Sequence, residues 1–159
     1  MGGKGSGAKP KHGMRGASFY NVWRNIKARC KRPTRENSAY SDVSYPKEWE
    51  RFESFVSDMI KGYSEGKQID RIDPYANYSK ENCRWVDANV NACNKRKKEN
   101  TSSKYYGVSF HKKTGKYQAE IRFNHKRYCG GIFKREEHAA RMVNIMIEEN
   151  NLPNRKNDV

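Results

Sequence analysis

The chain has 159 residues, 33 Lys and Arg against 18 Asp and Glu, a formal charge of +15 and a mean hydropathy of −1.16. That length allows one ordinary domain or two very small ones and excludes a large multi-domain enzyme. No apolar run reaches the length of a membrane span and no apolar leader follows Met1, so a soluble, intracellular protein is expected.

The basic excess is spread along the whole chain: 21 basic residues against 12 acidic in 1–100, and 12 against 6 in 101–159. It is interleaved with ten Tyr, six Phe and three Trp, a pattern suited to a polyanion followed along a track. Nucleic acid is therefore the leading partner class, although a solvated basic surface gives the same composition. Cys30, Cys83, Cys93 and Cys129 include no pair at the two-to-four-residue spacing of zinc ribbons, so no zinc is expected and the thiols are read as reduced.

In chain order, residues 1–16 hold six glycines and no apolar periodicity and are read as a flexible basic arm. Phe19, Val22, Trp23, Ile26 and Cys30 then recur at helical spacing, predicting an amphipathic helix broken by Pro33. A second helix is predicted from Pro46 to Gly62, with Trp49, Phe52, Phe55, Val56 and Met59 as its apolar stripe. Gln68 to Asp73 reads as a strand, Pro74 to Lys80 as a loop, Cys83 to Val86 as a second strand, and Asp87 to about Lys98 as a polar helix. Lys95-Arg-Lys-Lys98 continues that helix or begins a basic linker, and residues 99–103 are read as the linker to the next segment. Three strands follow at Tyr105–Lys112, Lys116–Phe123 and Lys126–Phe133, divided by the hairpin signals Thr114-Gly115 and Asn124-His125. A last helix from Glu136 presents Ala139, Ala140, Val143, Met146 and Ile147 and ends before Pro153, leaving 155–159 as a tail. The fold class expected is α+β, a small helical part with a hairpin and helix, then a three-stranded antiparallel sheet on one helix.

The segment 104–154 resembles the AP2 DNA-binding domain of plant transcription factors and phage homing endonucleases. The resemblance rests on Tyr105-Tyr-Gly-Val108, Gly115-Lys-Tyr-Gln-Ala-Glu-Ile-Arg122, Gly131-Ile-Phe133 and Glu136-Glu-His-Ala-Ala-Arg141. It implies that the bare face of the sheet enters the major groove of duplex DNA. Strand alternation gives the same face independently: Val108, Phe110, Ala119 and Ile121 point to the helix, leaving Ser109, His111, Glu120 and Arg122 outward, with Arg127 and Cys129 beside them. Glu120 can accept from a cytosine amine, and Arg122 and Arg127 can donate to guanine or to phosphate. Each can equally form a cross-strand pair. Tyr106, Ser109, His111 and Lys116 complete the expected DNA-contacting set; the first three stand where the plant proteins commonly carry arginines, so a GC-rich target does not follow.

Residues 17–98 resemble the HNH nuclease superfamily, in its phage and intron-encoded branch, through Ile69-Asp-Arg-Ile-Asp73, Glu81-Asn-Cys-Arg-Trp-Val86 and Asn91-Ala-Cys-Asn94. The resemblance implies a ββα-metal unit in which Asp70 and Asn91 hold one Mg²⁺ or Mn²⁺ ion, hard oxygen ligands for a hard cation, and Asn82 orients the catalytic base. Arg71 stands where that family has its general-base His. Arginine stays protonated and cannot be the base, so Arg71 is read as a phosphate clamp, with His12 of the arm as one candidate base. The alternative for Asp70 is an ion pair with Arg71 or Arg84. Together the two resemblances imply a monomeric homing-type endonuclease that nicks duplex DNA in the cytoplasm of a bacterial or phage-infected cell. The rival reading is a non-catalytic DNA-binding regulator on a degenerate HNH-like scaffold.

Overall fold

A computed structural model of the chain describes residues 17–31 and 40–159. The arm, with His12, and the helix break at Pro33 lie outside the described residues. The architecture is α+β, with two cores in chain order.

Helix α1 (Ser18–Lys31) buries Phe19 and Ile26, and its last turn carries Arg29 and Lys31, where cations complement the negative end of the helix dipole. The helix expected from Pro46 is divided into a 3₁₀ turn, Lys47–Glu50, and α2, Phe52–Met59. Arg51 between them is extended at φ −93°, ψ 133°. The turn closes on i→i+3 bonds, Trp49 N–H to the Pro46 carbonyl at 2.9 Å and Arg51 N–H to that of Glu48 at 3.1 Å. Trp49 is fully buried there, with its indole N–H donating to Asp58 at 2.8 Å. Trp23 donates to the Trp49 carbonyl at 2.6 Å, and Trp85 to that of Met59 at 2.7 Å. All three indole N–H groups are thus satisfied, as burial requires. The Phe19 ring packs on Phe52, Phe55, Tyr63 and Trp85 with centroids 4.8 to 6.1 Å away.

Strands β1 (Gln68–Arg71) and β2 (Cys83–Val86) form an antiparallel hairpin with Ile69 opposite Trp85 and Asp70 opposite Arg84. Helix α3 (Ala88–Cys93) follows and stops five residues short of the predicted end. Two tertiary anchors end it. The Asn94 side chain turns inward to Asp70 and the Arg71 carbonyl, and Arg96 bonds the Pro74 carbonyl and Asp42.

The second core lies between α4 (Glu136–Glu149) and a sheet ordered β3-β4-β5: β3 Val108–His111, β4 Lys116–Phe123, β5 Lys126–Phe133. Ala139, Ala140, Val143, Met146 and Ile147 of α4 meet Val108, Ala119 and Ile121. The β4–β5 turn is tight, Asn124 and His125 both having positive φ (47° and 62°). In β5 one residue is extra: Ala119 pairs with Gly131 and Glu120 with Cys129, so Gly130 bulges. A Cβ at Gly130 would collide with Met142 and come within 3.1 Å of Met146, so glycine lets α4 settle on the sheet.

Strand β3 begins three residues later than predicted. The backbone of Tyr106 is claimed by Asn157, whose Oδ1 accepts the Tyr106 N–H (2.7 Å) and whose Nδ2 donates to the Tyr106 carbonyl (3.0 Å). Asn157 is itself clamped to Asn144 of α4, so the segment read as a tail closes the second core. Among the described residues no helix is long and apolar enough to cross a membrane.

Candidate functional site

The β1–β2–α3 unit brings Asp70 into hydrogen-bond contact with Arg84 and Asn94, while Asn91 bonds Gln68, two residues before Asp70 on β1. Asp70 is 5% exposed; its Oδ2 accepts from Arg84 Nε and Nη2, each at 3.0 Å. Asn94 Nδ2 lies 3.1 and 3.2 Å from the two carboxylate oxygens and 2.5 Å from the Arg71 carbonyl. Asn91, predicted as the second metal ligand, donates instead to Gln68 Oε1 at 2.7 Å. α3 ends at Cys93, and Asn94, the first residue beyond it, carries its side chain back to the hairpin.

This donor set does not fit a Mg²⁺ or Mn²⁺ ion as it stands. Such an ion takes oxygen donors, whereas the Asp70 carboxylate already faces a guanidinium and an amide NH₂. Among the described residues no group of three or more His, Cys, Asp or Glu is placed to hold a metal. Of the alternatives for Asp70, the Arg84 pair is the one formed.

Arg71 and Asn82 act on the loop between the strands. The Arg71 guanidinium lies over the rings of Tyr40 and Tyr78, 5.2 and 5.0 Å from their centroids, and donates to the Ala76 carbonyl at 2.8 Å. Asn82 Oδ1 accepts the Asp73 N–H (2.8 Å) while Nδ2 donates to the carbonyls of Asp73 and Asn77 (3.1 and 2.8 Å). Arg71 is buried, so the phosphate-clamp expectation is replaced by an internal anchor.

The outer face of the three-stranded sheet carries no helix. Ser109, His111, Lys116, Arg122, Arg127 and Cys129 are exposed there, as alternation predicts. Glu120 stands at its centre and holds both arginines: Arg122 Nη2 at 3.1 Å on one oxygen, Arg127 Nη2 at 2.6 Å on the other. Arg127 above all, and to a lesser extent Arg122, hold the Glu120 carboxyl below its usual range, against an opposing effect of burial that is smaller than that of Arg127. Tyr106 departs from the expected set. Its hydroxyl accepts the Lys97 N–H at 2.9 Å and meets the Tyr75 hydroxyl at 3.3 Å, placing it at the junction of the two cores.

No protein-family model matches the chain, and neither a curated protein nor a solved structure does.

Two further residues line the outer face: Gln118, which alternation already turns outward with Glu120 and Arg122, and Ile132, which it does not. Gln118 lies between Ser109 on β3 and Ile132 on β5, and Ile132 is 57% exposed. A strict two-residue period through β5 turns Ile132 inward; the Gly130 bulge shifts it out. The Gly130-Gly131 pair was the available signal, since paired glycines inside a strand mark a bulge. Asn94 stands in the Asn91-Ala-Cys-Asn94 motif, but no local pattern marked it as the partner of Asp70.

Proposed function

We propose that the chain is a duplex-DNA-binding protein built on the plan of phage homing endonucleases, with the outer face of β3–β5 seated in the major groove. The observation that carries this reading is the Arg122–Glu120–Arg127 triad on an uncovered, twisted antiparallel sheet backed by a single helix. The face is mostly polar, and its two guanidiniums are aligned by a carboxylate rather than left to fluctuate. The net charge of +15 supports phosphate contact around it. The AP2 resemblance of 104–154 points the same way.

In this reading the β1–β2–α3 unit is a basic scaffold, because Arg84 neutralises Asp70. A second reading, metal-dependent phosphodiester hydrolysis, is favoured by the Asp70–Asn94 juxtaposition between hairpin and helix; it requires Arg84 to leave the carboxylate. One set of measurements separates them. The protein is titrated into labelled duplex at several salt concentrations, and separately incubated with supercoiled plasmid in Mg²⁺, Mn²⁺ or EDTA. The expected result is salt-sensitive binding without nicking. Arg122→Ala is expected to cost about 1–3 kcal/mol at its preferred sequence if the guanidinium reads a base. Absence of duplex binding at low salt refutes the DNA reading. Metal-dependent nicking that disappears in Asp70→Asn establishes the second reading instead.

A further inference from the structure

A cleft of about 660 Å³ opens between α3 and the β4–β5 hairpin, where the two cores meet. One wall carries Asn89 of α3 and Lys95 and Lys97 beyond it; the other carries Arg122 and His125. Asn89 Nδ2 donates to Asn124 Oδ1 across the gap at 2.7 Å, and the Lys97 N–H to the Tyr106 hydroxyl on its floor at 2.9 Å. The cleft is therefore held at a fixed width by bonds between its own walls.

Its charge is unbalanced. Glu120 is the one carboxylate lining it, and both oxygens of Glu120 are already held by Arg122 and Arg127. Neither Lys95 nor Lys97 is paired with a carboxylate among the described residues, and partial burial pushes the Lys97 ammonium down from its usual range. Exposed Lys95 and half-buried Lys97, neither in an ion pair, beside an open polar cleft form a receptor for phosphate oxygens. Glu120 and Arg122 belong both to the cleft and to the outer face of the sheet, so a strand leaving that face runs directly into it.

We infer that this cleft is a backbone track: it seats phosphodiester groups of the DNA flanking the segment under the sheet, so that both cores grip one duplex. The inference rests on the duplex-DNA reading above and adds the second contact.

The test uses the full chain and the double substitution Lys95→Ala with Lys97→Ala. Neither side chain holds an ion pair; Lys97 loses only a distant contact over the Tyr106 ring, 5.7 Å from its centroid, and keeps its backbone bond to the Tyr106 hydroxyl, so the fold is retained. Each phosphate neutralised contributes a slope of about −0.9 to log K against log [salt], so the double variant should lose nearly two units of slope. Lys47→Ala, which lines neither cleft nor sheet face, should lose none. Duplexes with single methylphosphonate substitutions should show weakened binding at positions outside those protected by the sheet, and the double variant should be insensitive to these positions. An unchanged slope in the double variant, with wild-type binding intact, overturns the track and leaves the sheet reading standing. No duplex binding by the wild type removes both. A saturable thermal shift with inorganic phosphate alone, lost in the double variant while the DNA slope is unchanged, reassigns the cleft to a free anion and also overturns the track.

Discussion

Removing the Asp70 carboxylate distinguishes a structural anchor from a ligand waiting for a cation. In the folded chain it receives two bonds from Arg84 and one shared donor from Asn94, all between 3.0 and 3.2 Å. Hydrogen bonds to charged groups contribute about 1.5–3 kcal/mol each, and breaking a fully buried ion pair costs about 3–5 kcal/mol. The pair is only half buried, since Arg84 is 43% exposed and regains water when its partner is lost. Asn94 keeps the Arg71 carbonyl as an acceptor. Asp70→Ala should therefore destabilise the first core by about 2–3 kcal/mol, and Asp70→Asn, which keeps an acceptor without the charge, by about 1 kcal/mol. Trp23, Trp49 and Trp85 all pack in the first core and the sequence has three Trp, so tryptophan fluorescence in a urea titration reports on that core alone. At a typical m of about 1–3 kcal/mol per molar, the Ala variant should unfold roughly 1–2 M earlier. A shift below about 0.5 kcal/mol, within the range of an ordinary surface substitution, refutes the anchoring argument.

Ile132→Ala should weaken binding to thymine-containing sites by about 1 kcal/mol, the transfer worth of roughly one methylene-sized contact, and replacing those thymines by uracil should cause the same loss in the wild type; equal affinity for both duplexes places Ile132 outside the contact. Lys27, then Lys31 and Tyr45, hold the Glu50 carboxyl down at about 2, against an ordinary value of 4.5. Because the folded value is the lower one, the stability it contributes is complete above pH 4.5 and is lost as pH falls towards 2. A plot of Tm against pH should be flatter over that window in Glu50→Gln than in the wild type.

The second core was legible wherever turn chemistry fixed the register. β4 and β5 run between the predicted bounds because Gly115 and the Asn124-His125 pair take the positive φ that their turns require. Departures occur where a distant contact outweighs local propensity. Arg51 breaks the predicted second helix and Trp49 is buried against Asp58; α3 is cut short by Asn94 and Arg96; β3 is shortened by Asn157, fifty-one residues away in sequence from the Tyr106 it holds. None of these partners is a neighbour along the chain, so no local pattern encodes them. The same holds for the site. Outward-facing Arg122 and Arg127 follow from a period of two, whereas the Asn94 bond to Asp70 depends on where α3 ends, which a tertiary bond decides.

The motif residues that resemble a nuclease centre converge on one mechanical result. Arg71 fixes the Ala76 carbonyl and Asn82 fixes Asp73 and Asn77, so together they set the course of the loop that carries Tyr75. Arg96 bonds the Pro74 and Tyr75 carbonyls of that loop, and its guanidinium lies 4.9 Å from the Tyr75 ring centroid. Tyr75 meets Tyr106, whose backbone is gripped by Asn157 and through it by α4, while Arg155 reaches back to Asp73 at 3.8 Å. A load applied at the outer sheet face therefore passes through Tyr106 and Tyr75 into the hairpin that holds Asp70. On the proposed duplex-DNA reading, two surfaces tied this way would present a fixed spacing, and rigid spacing lowers the entropy lost when both engage one duplex. The first core would then contribute to that proposed recognition by orientation, whatever chemistry Asp70 supports.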